Sequence, residues 1–203
     1  MPERLKLYFN PRSRAVTARW MLEEVGADYE LVPIGFEADD ANKQALRAVN
    51  RMGKIPTLVL SDGTAISETP AIIAWLADAY PEAALAPAVG TPERGPYYRW
   101  LFFGGSCIEP ALTETMMRKD APPLPKTSVG WGTYEDVLAT VEEAVSTSPY
   151  LLGERFSAAD LYVGAGLSFA GMFGEPQVKA NKVLQDYVAR VTDRDAYRRS
   201  QSQ

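Results

Sequence analysis

The 203-residue sequence contains no histidine and only one cysteine, Cys107. Without histidine the chain cannot build a Ser-His-Asp or Cys-His catalytic arrangement or a histidine-rich metal site. A single cysteine excludes an internal disulfide and a Cys-x-x-Cys redox pair, and we expect it to be a small buried apolar residue. We therefore expect no metal and no cofactor. Any chemistry must use hydroxyls, carboxylates, arginines, backbone amides or a reagent that the ligand brings.

The sequence also lacks an excess of basic residues and a long apolar segment. It has 21 basic and 26 acidic residues, a net charge of −5, so nothing is available to neutralise nucleic-acid phosphates or an acidic membrane. The uncharged run 161–174 has 14 residues, which is too short to span a bilayer. No signal-peptide pattern opens the chain. We expect a cytoplasmic protein that binds neither nucleic acid nor membranes.

Periodicity in the first 80 residues predicts the order β-α-β-α-β-β-α. The first strands require parallel pairing through a crossover, and Asp62-Gly63 between the last two is typical of a hairpin turn. Thr69 has the position of a helix N-cap, with Pro70 as the first helical residue. Strands are predicted at 5–9, 29–34, 57–60 and 64–66, and helices at 13–26, 39–49 and 70–80.

After residue 80 the strand signals stop. Residues 81–92 are rich in Ala, Pro and Gly, which is typical of a linker. Beyond them, helices are predicted at 93–118, 134–146, 158–174 and 178–191. Ser157 and Asp160 form a capping-box pattern at the start of the third of these helices, with Phe156 as a hydrophobic staple. We therefore predict an α/β domain at 1–80, a linker at 81–92 and an all-α domain at 93–203.

The stretch GKIPTLVLSDGTAISETPAI, residues 53–72, is unusual because prolines stand just before a strand and just inside a helix. Proline donates no backbone hydrogen bond, so Ile55-Pro56 can leave the Ile55 N–H and C=O available to an extended ligand. It can equally be an ordinary turn. A helix start attracts carboxylates, so Glu68-Thr69 fits either a cap with its dipole partner or a ligand site.

The chain resembles the cytosolic glutathione transferase family over nearly its whole length. The stretch at 53–72 carries the resemblance most specifically, and FSAADLYVG, RWMLEE and YVARVTDRDAYRR support it. The resemblance implies a thioredoxin-like first domain, an all-helical second domain and a homodimer. It also implies glutathione as co-substrate, held by Lys54, Ile55, Pro56, Glu68 and Thr69, with a cis Ile55–Pro56 bond.

At the two positions where the nearest glutathione transferase class has its characteristic residues for the glutathione thiol, this chain has different residue types. Bacterial beta-class members, which the layout approaches, have a tyrosine near the end of the first strand and a cysteine at the first helix. Here those places hold Phe9 and Arg14. Ser13 is the hydroxyl left at the right place, so we take it as the thiolate hydrogen-bond donor, although it is equally suited to be an N-cap. Asn10 and Arg14 are the alternatives, with Arg12 as a further charge.

The resemblance implies that a small hydrophobic electrophile lies between this loop and the first long helix of the second domain. Phe102 and Ser106, four residues apart, can share one face of that helix. Gly104 and Gly105 are poor mid-helix residues and indicate a face that makes room for a ligand or a close neighbour. The expected activity is thiol conjugation in detoxification. The alternative is a binding or regulatory protein that keeps the fold without conjugating activity.

Overall fold

The computed structural model describes residues 4–37, 40–172 and 176–202. The chain divides into two compact units, Met1–Ala83 with Arg194–Gln203, and Ala84–Asp193. The sequence predicts instead a first domain that ends at residue 80, a linker at 81–92 and a second domain that includes 194–203. The predicted linker is divided between the two units after Ala83. The difference arises because the end of the chain packs on the first unit. Asp39 and residues 173–174, which belong to predicted helices, lie outside the described residues.

The first unit is a four-stranded sheet with helices, the thioredoxin-like arrangement that the resemblance implies. Its sheet order is β2-β1-β3-β4, in which β1 is parallel to β2 and antiparallel to β3, and β3 and β4 form the expected antiparallel hairpin. The strands are β1 Leu5–Phe9, β2 Tyr29–Pro33, β3 Thr57–Val59 and β4 Ala65–Ser67, and the helices are α1 Ala15–Val25, α2 Ala41–Val49 and α3 Thr69–Ala79.

The core of this unit has one layer on each face of β1. Tyr8 packs with Ile34 and with Leu46 of α2, so its side chain is in the core as a buried strand position requires. Side chains alternate along a strand, so Leu7 and Phe9 face the other side, where α1 and α3 pack together. Gly26 ends α1 with φ +65°, a conformation that favours glycine, as the sequence predicts.

The second unit is all-helical among its described residues. The predicted helix 93–118 is one continuous rod made of α4, a five-residue π-helical turn and α5. The predicted helix 178–191 is two helices, because Asn181 caps a new one by accepting from the Leu184 N–H at 3.1 Å. The helices are α4 Arg94–Phe103, the π turn Gly104–Ile108, α5 Glu109–Met117, α6 Tyr134–Ser146, α7 Ala158–Met172, α8 Pro176–Ala180 and α9 Lys182–Thr192. A three-residue 3₁₀ turn, Pro81–Ala83, precedes this unit.

The π turn explains one of the glycines that the sequence marks as unusual. A Cβ atom on Gly104 would lie 2.6 Å from the ring of Tyr162 on α7, which is closer than any side chain tolerates. The room that Gly104 makes is therefore filled by a neighbouring helix. A π turn adds a residue to the rod and rotates the residues that follow it, which a periodicity argument cannot detect.

The chain returns to the first unit through a helix that its sequence pattern does not predict, α10 Asp195–Gln201. The helix packs along α1. Its seven residues are too few, and too rich in arginine, to show an amphipathic period of their own. Among the described residues, no helix is long and apolar enough to cross a membrane, and no group of three candidate ligands could hold a metal ion.

The start of α7 is organised around a buried carboxylate, Asp160, which is 0% exposed. Its oxygens accept from the Ser157 N–H at 2.9 Å and hydroxyl at 2.7 Å, from the Leu151 N–H at 2.8 Å, and from the Tyr187 hydroxyl at 3.1 Å. Burial raises the pKa of the Asp160 carboxyl, against the effect of these hydrogen bonds. Ser157 and Asp160 thus tie three segments of the second unit together.

We predict that Asp160→Ala lowers the free energy of unfolding by about 3 kcal/mol or more, because several buried donors lose their acceptor at once. Urea denaturation followed by circular dichroism measures the change. The matched control is Asp186→Ala, which removes an exposed ion pair with Lys182 in the same unit and should cost less than about 0.5 kcal/mol. Equal losses in the two variants would contradict the role given to Asp160.

Candidate functional site

The strand register of the first unit brings three chain segments to one edge of the sheet. Tyr8 of β1 pairs with Thr57 at the start of β3, and Thr57 pairs with Ser67 at the end of β4. The residues that follow β1, precede β3 and follow β4 are therefore neighbours across strands spaced by about 4.8 Å. These segments contain Asn10 to Arg14, Lys54 to Pro56, and Glu68 with Thr69. We call this group the sheet-edge site.

The β1–α1 loop is fixed by Asn10, which is buried. Its side-chain amide donates to the Ile34 carbonyl at 2.6 Å, and its side-chain oxygen accepts from the Arg12 N–H at 2.9 Å. The Asn10 carbonyl accepts from the Ser13 N–H at 3.1 Å. Asn10 is thus a structural anchor, and the Ile34 carbonyl already occupies one of the two N–H donors of its amide, which weakens its case as the alternative thiol donor.

Ser13 lies at the mouth of α1 and is partly exposed. Its hydroxyl donates to the Asn10 carbonyl at 2.7 Å and accepts from the Ala15 N–H at 3.1 Å. Helix α1 begins at Ala15, one residue later than the N-cap interpretation of Ser13 requires, and Arg14 occupies the cap position without a side-chain capping bond. By accepting from the Ala15 N–H, the Ser13 hydroxyl still acts as a cap for the first turn of α1.

The opening of α1 is cationic. Arg12 is exposed, with its guanidinium 5.6 Å from the ring centroid of Phe36, and Arg14 is partly exposed. No acidic residue lies in the first turn of α1. Positive side chains at a helix N-terminus add to the positive end of the helix dipole, which is unfavourable unless an anion lies nearby. Phe9, at the place where beta-class members have a tyrosine, is buried and has no hydroxyl.

The Ile55–Pro56 segment is held in place by its neighbours. The peptide bond between the two residues is cis. Asn50 donates to the Lys54 carbonyl at 3.2 Å and to the Thr57 hydroxyl at 2.9 Å, and that hydroxyl donates to the Lys54 carbonyl at 2.9 Å. Within the described part of the chain, no hydrogen bond uses the Ile55 N–H or C=O.

The start of α3 differs by one residue from the prediction. Glu68, not Thr69, is the N-cap residue, and it makes no side-chain capping bond, so Thr69 is the first helical residue and Pro70 the second. The Glu68 carbonyl accepts from the Ala71 and Ile72 N–H groups, both at 3.0 Å. Neither the N–H nor the hydroxyl of Thr69 has a hydrogen bond among the described residues.

Glu68 has backbone angles φ 68° and ψ 115°, a region that residues with a side chain rarely adopt. Such a backbone costs on the order of 1–3 kcal/mol and is found most often at functional sites. Glycine would adopt these angles without cost, yet the position carries an exposed carboxylate. This conflict between backbone and side chain marks Glu68 as a candidate binding residue.

Phe102 and Ser106 lie in the second unit and share an exposed helix face, as predicted. Phe102 is 67% exposed, and the Ser106 hydroxyl donates to its carbonyl at 2.7 Å. Cys107 is partly exposed rather than buried, with its sulfur 3.9 Å from the Gly130 carbonyl, so the sequence-based prediction of a buried cysteine is wrong. The π turn that starts at Gly104 sets the direction in which Cys107 faces, and this direction could not be read from α-helical periodicity.

Sequence reasoning missed two residues of the sheet-edge site, Asn50 and Thr57, which fix the segment before Pro56. The available signal was the turn sequence Asn-Arg-Met-Gly at 50–53, since asparagine and glycine are frequent in turns where the asparagine side chain bonds the backbone two residues on. The Asn50 side-chain oxygen does accept from the Met52 N–H at 3.1 Å.

Comparison with known proteins identifies the relatives of this arrangement. Residues 13–79 match the family model of the glutathione S-transferase N-terminal domain. The chain is 31% identical over 172 residues to glutathione S-transferase GstA of Escherichia coli O157:H7, and the alignment covers 82% of each protein. It is 28% identical over 193 residues to a maleylacetoacetate isomerase of Pseudomonas aeruginosa, covering 84% of this chain and 83% of the isomerase.

Solved structures agree with these sequence matches. A sphingomonad glutathione S-transferase complexed with glutathione superposes with a TM-score of 0.78 at 27% identity, covering 97% of this chain and 96% of that one. The bacterial transferase BphK in a ternary complex superposes with a TM-score of 0.80 at 29% identity, covering 97% of each chain. On the fold, the sheet-edge geometry and these similarities, the chain belongs to the glutathione S-transferase family.

Proposed function

We propose that this protein binds glutathione at the sheet-edge site, stabilises its thiolate and transfers the sulfur to a small hydrophobic electrophile. The observation that supports the proposal most strongly is the set of backbone groups at Ile55 and Thr69, which have no hydrogen bond among the described residues although the surrounding loops are well bonded. Buried or half-buried backbone groups are almost always paired, so groups left over at one edge suit a peptide ligand.

The γ-glutamyl end of glutathione carries an ammonium and a carboxylate, and the start of α3 offers a group for each. The exposed Glu68 carboxylate attracts the ammonium, while the Thr69 N–H and hydroxyl donate to the ligand carboxylate at the positive end of the helix dipole. A charge-assisted hydrogen bond of this kind contributes on the order of 1.5–3 kcal/mol. The strained backbone at Glu68 is consistent with a carboxylate kept there for binding.

The middle of the tripeptide pairs with Ile55. An extended ligand backbone that donates to the Ile55 carbonyl and accepts from its N–H pairs with the segment that precedes β3, in the manner of strand addition. Pro56, the next residue, is buried. The exposed Lys54 ammonium can reach the glycyl carboxylate of the ligand. This alignment directs the cysteinyl side chain along the edge toward the β1–α1 loop.

The thiol is activated at the opening of α1. Lowering a thiol pKa by about 2 units from its usual value near 8.5 requires about 2.7 kcal/mol of preferential thiolate stabilisation. The Ser13 hydroxyl supplies part of it by rotating from the Asn10 carbonyl to the sulfur, since a hydroxyl hydrogen moves freely about its C–O bond. The carbonyl retains the Ser13 N–H, so the rotation leaves no group unsatisfied. The Arg12 and Arg14 charges supply the rest.

The electrophile is a small apolar molecule, for which Phe102 offers exposed aromatic surface beside Ser106. Isomerisation, dehalogenation or peroxide reduction would use the same activated thiol, and one relative is named as an isomerase. We further propose that the protein works as a cytoplasmic homodimer in detoxification. It needs no metal and no cofactor besides glutathione as co-substrate.

A binding or regulatory protein without conjugating activity is the second candidate. It is favoured by the side chains at the thiol end, where Phe9 and Arg14 replace the tyrosine and cysteine. There the Ser13 hydroxyl donates within the loop and the Asn10 amide donates to the Ile34 carbonyl. Such a protein would bind glutathione at the same edge but would leave its thiol pKa unchanged. Binding and turnover must therefore be measured separately.

We predict that glutathione binds the wild-type protein and that Glu68→Gln weakens binding about tenfold or more, because the ammonium loses its charged partner. The intrinsic fluorescence of the four tryptophans, titrated with glutathione, measures the dissociation constant. Glu82→Gln, an exposed substitution in the same unit, is the control and should leave the constant unchanged. A wild-type titration that stays flat to millimolar glutathione would remove the basis of the proposal.

We predict that Ser13→Ala lowers kcat for chloronitrobenzene conjugation by at least about tenfold with little change in glutathione affinity, because the hydroxyl acts on the thiolate and not on the bound peptide. Ser146→Ala, which removes an exposed hydroxyl from α6 in the second unit, is the control for the thiolate effect. Turnover that is unchanged in Ser13→Ala would assign the thiolate to the arginines. Absence of turnover in the wild type, with binding intact, would favour the second candidate.

A further inference from the structure

Arg19, in the middle of α1, connects three separate parts of the first unit. Its Nη1 donates to the Ser202 carbonyl at 2.6 Å and its Nε donates to the Tyr29 hydroxyl at 3.3 Å. Its guanidinium lies 5.6 Å from the ring centroid of Phe9. Phe9 is the last residue of β1 and directly precedes Asn10. One side chain therefore links the end of the described chain to the strand that leads into the β1–α1 loop.

Arg19 is held by a larger set of contacts between α1 and residues 194–202, which we call the C-terminal clamp. Arg194 makes two hydrogen bonds to the Glu24 carboxylate, at 2.6 and 2.7 Å, and the Glu24 side chain is only 5% exposed. Trp20 donates to the same carboxylate at 2.9 Å, and its ring packs edge-on against Tyr197 with centroids 4.8 Å apart.

A second ion pair fixes the other side of the clamp. Arg199 donates to the Glu23 carboxylate at 2.7 Å, and the Tyr29 hydroxyl donates to it at 2.5 Å. Burial raises the pKa of the Glu23 carboxyl, but these two hydrogen bonds outweigh it and keep that pKa below its ordinary value. The carboxylate is therefore charged at neutral pH, and Tyr29, which also accepts from Arg19, is fixed by it.

We propose that Arg19 is a positioning residue for the thiol: held by the C-terminal clamp, it braces the Phe9 ring and so sets where the β1–α1 loop stands. The inference rests on the proposed function, because it concerns how well the opening of α1 meets a bound sulfur. Through Arg19, α10 also affects the chemistry, although none of the contacts above joins α10 to a proposed ligand-binding residue.

The physical reason is the precision that thiolate stabilisation demands. Donors preorganised at the sulfur stabilise charge strongly, but a displacement of about 1 Å removes most of the benefit. The Phe9 backbone is already fixed, since its carbonyl accepts from the Ile34 N–H at 2.8 Å. The Phe9 ring is buried in the core, and the Arg19 guanidinium packs over it at 5.6 Å from its centroid, so Arg19 adds to the contacts that hold the ring in place. Binding of the tripeptide at Ile55 and Thr69 does not involve Phe9 and should be less affected.

The test separates glutathione affinity from the acidity of its bound thiol. Arg19→Met keeps the aliphatic stem and removes the guanidinium, and Arg19→Lys keeps the charge. Tryptophan fluorescence gives the dissociation constant of glutathione, and a pH titration of thiolate ultraviolet absorbance gives the thiol pKa in the complex. We expect the thiol pKa in Arg19→Met to rise by about half a unit or more, with affinity within about threefold of wild type. Arg19→Lys should lie between wild type and Arg19→Met.

Arg4→Met is the matched control, because it removes an arginine that pairs with Asp28 on the surface of the same unit. It should change neither quantity. A thiol pKa in Arg19→Met equal to that of wild type, when wild type lowers it, would overturn the role of Arg19 and leave the proposed function intact. A wild-type complex with the thiol pKa of free glutathione would overturn both. If Arg19→Met fails to fold by circular dichroism, Arg19→Lys decides, and an unshifted pKa there overturns the inference.

Discussion

The pairing of Tyr8 with Thr57 and of Thr57 with Ser67 is the constraint on which the rest of the site depends. These two pairings align the end of β1, the start of β3 and the end of β4 at one edge of the sheet. A shift of register by one residue would turn the buried strand residues to the opposite face, so the hydrophobic core itself enforces the alignment. The core thereby places the start of α1, the backbone at Ile55 and the Glu68 carboxylate side by side.

Most polar groups of the loops at this edge are hydrogen-bonded within the protein, and few are available to a ligand. Asn10 and Asn50 act alike, each tying a loop together through its side-chain amide, so that the chain direction is fixed before any ligand arrives. Preorganisation of this kind reduces the entropy that binding must overcome. The groups left over are the Ile55 backbone and the Thr69 N–H and hydroxyl, which match the backbone and the carboxylate of a short peptide.

The order of elements and the two-domain division followed from periodicity, because long amphipathic helices and a hairpin marked by Asp62-Gly63 carry strong local signals. The π turn after Phe103 and the helix after Arg194 did not follow, since the first depends on close contact of Gly104 with Tyr162 and the second on long-range ion pairs with α1. In the site, the residue types at 55, 56, 68 and 69 were enough to predict a ligand site. The hydrogen bonds of Asn10 and Ser13 could not be predicted from the sequence, because they depend on the three-dimensional path of a loop.

The central claim is that a tripeptide backbone pairs with Ile55 while its terminal carboxylate meets the Thr69 N–H. Amide hydrogen exchange measured by NMR with and without glutathione tests it most directly. The account predicts that the Ile55 and Thr69 amides become protected on binding, whereas the amide of Gly63 in the hairpin turn, which donates to the Leu60 carbonyl at 3.0 Å, does not change. Protection that spares both Ile55 and Thr69, at a glutathione concentration that saturates the protein, would contradict it.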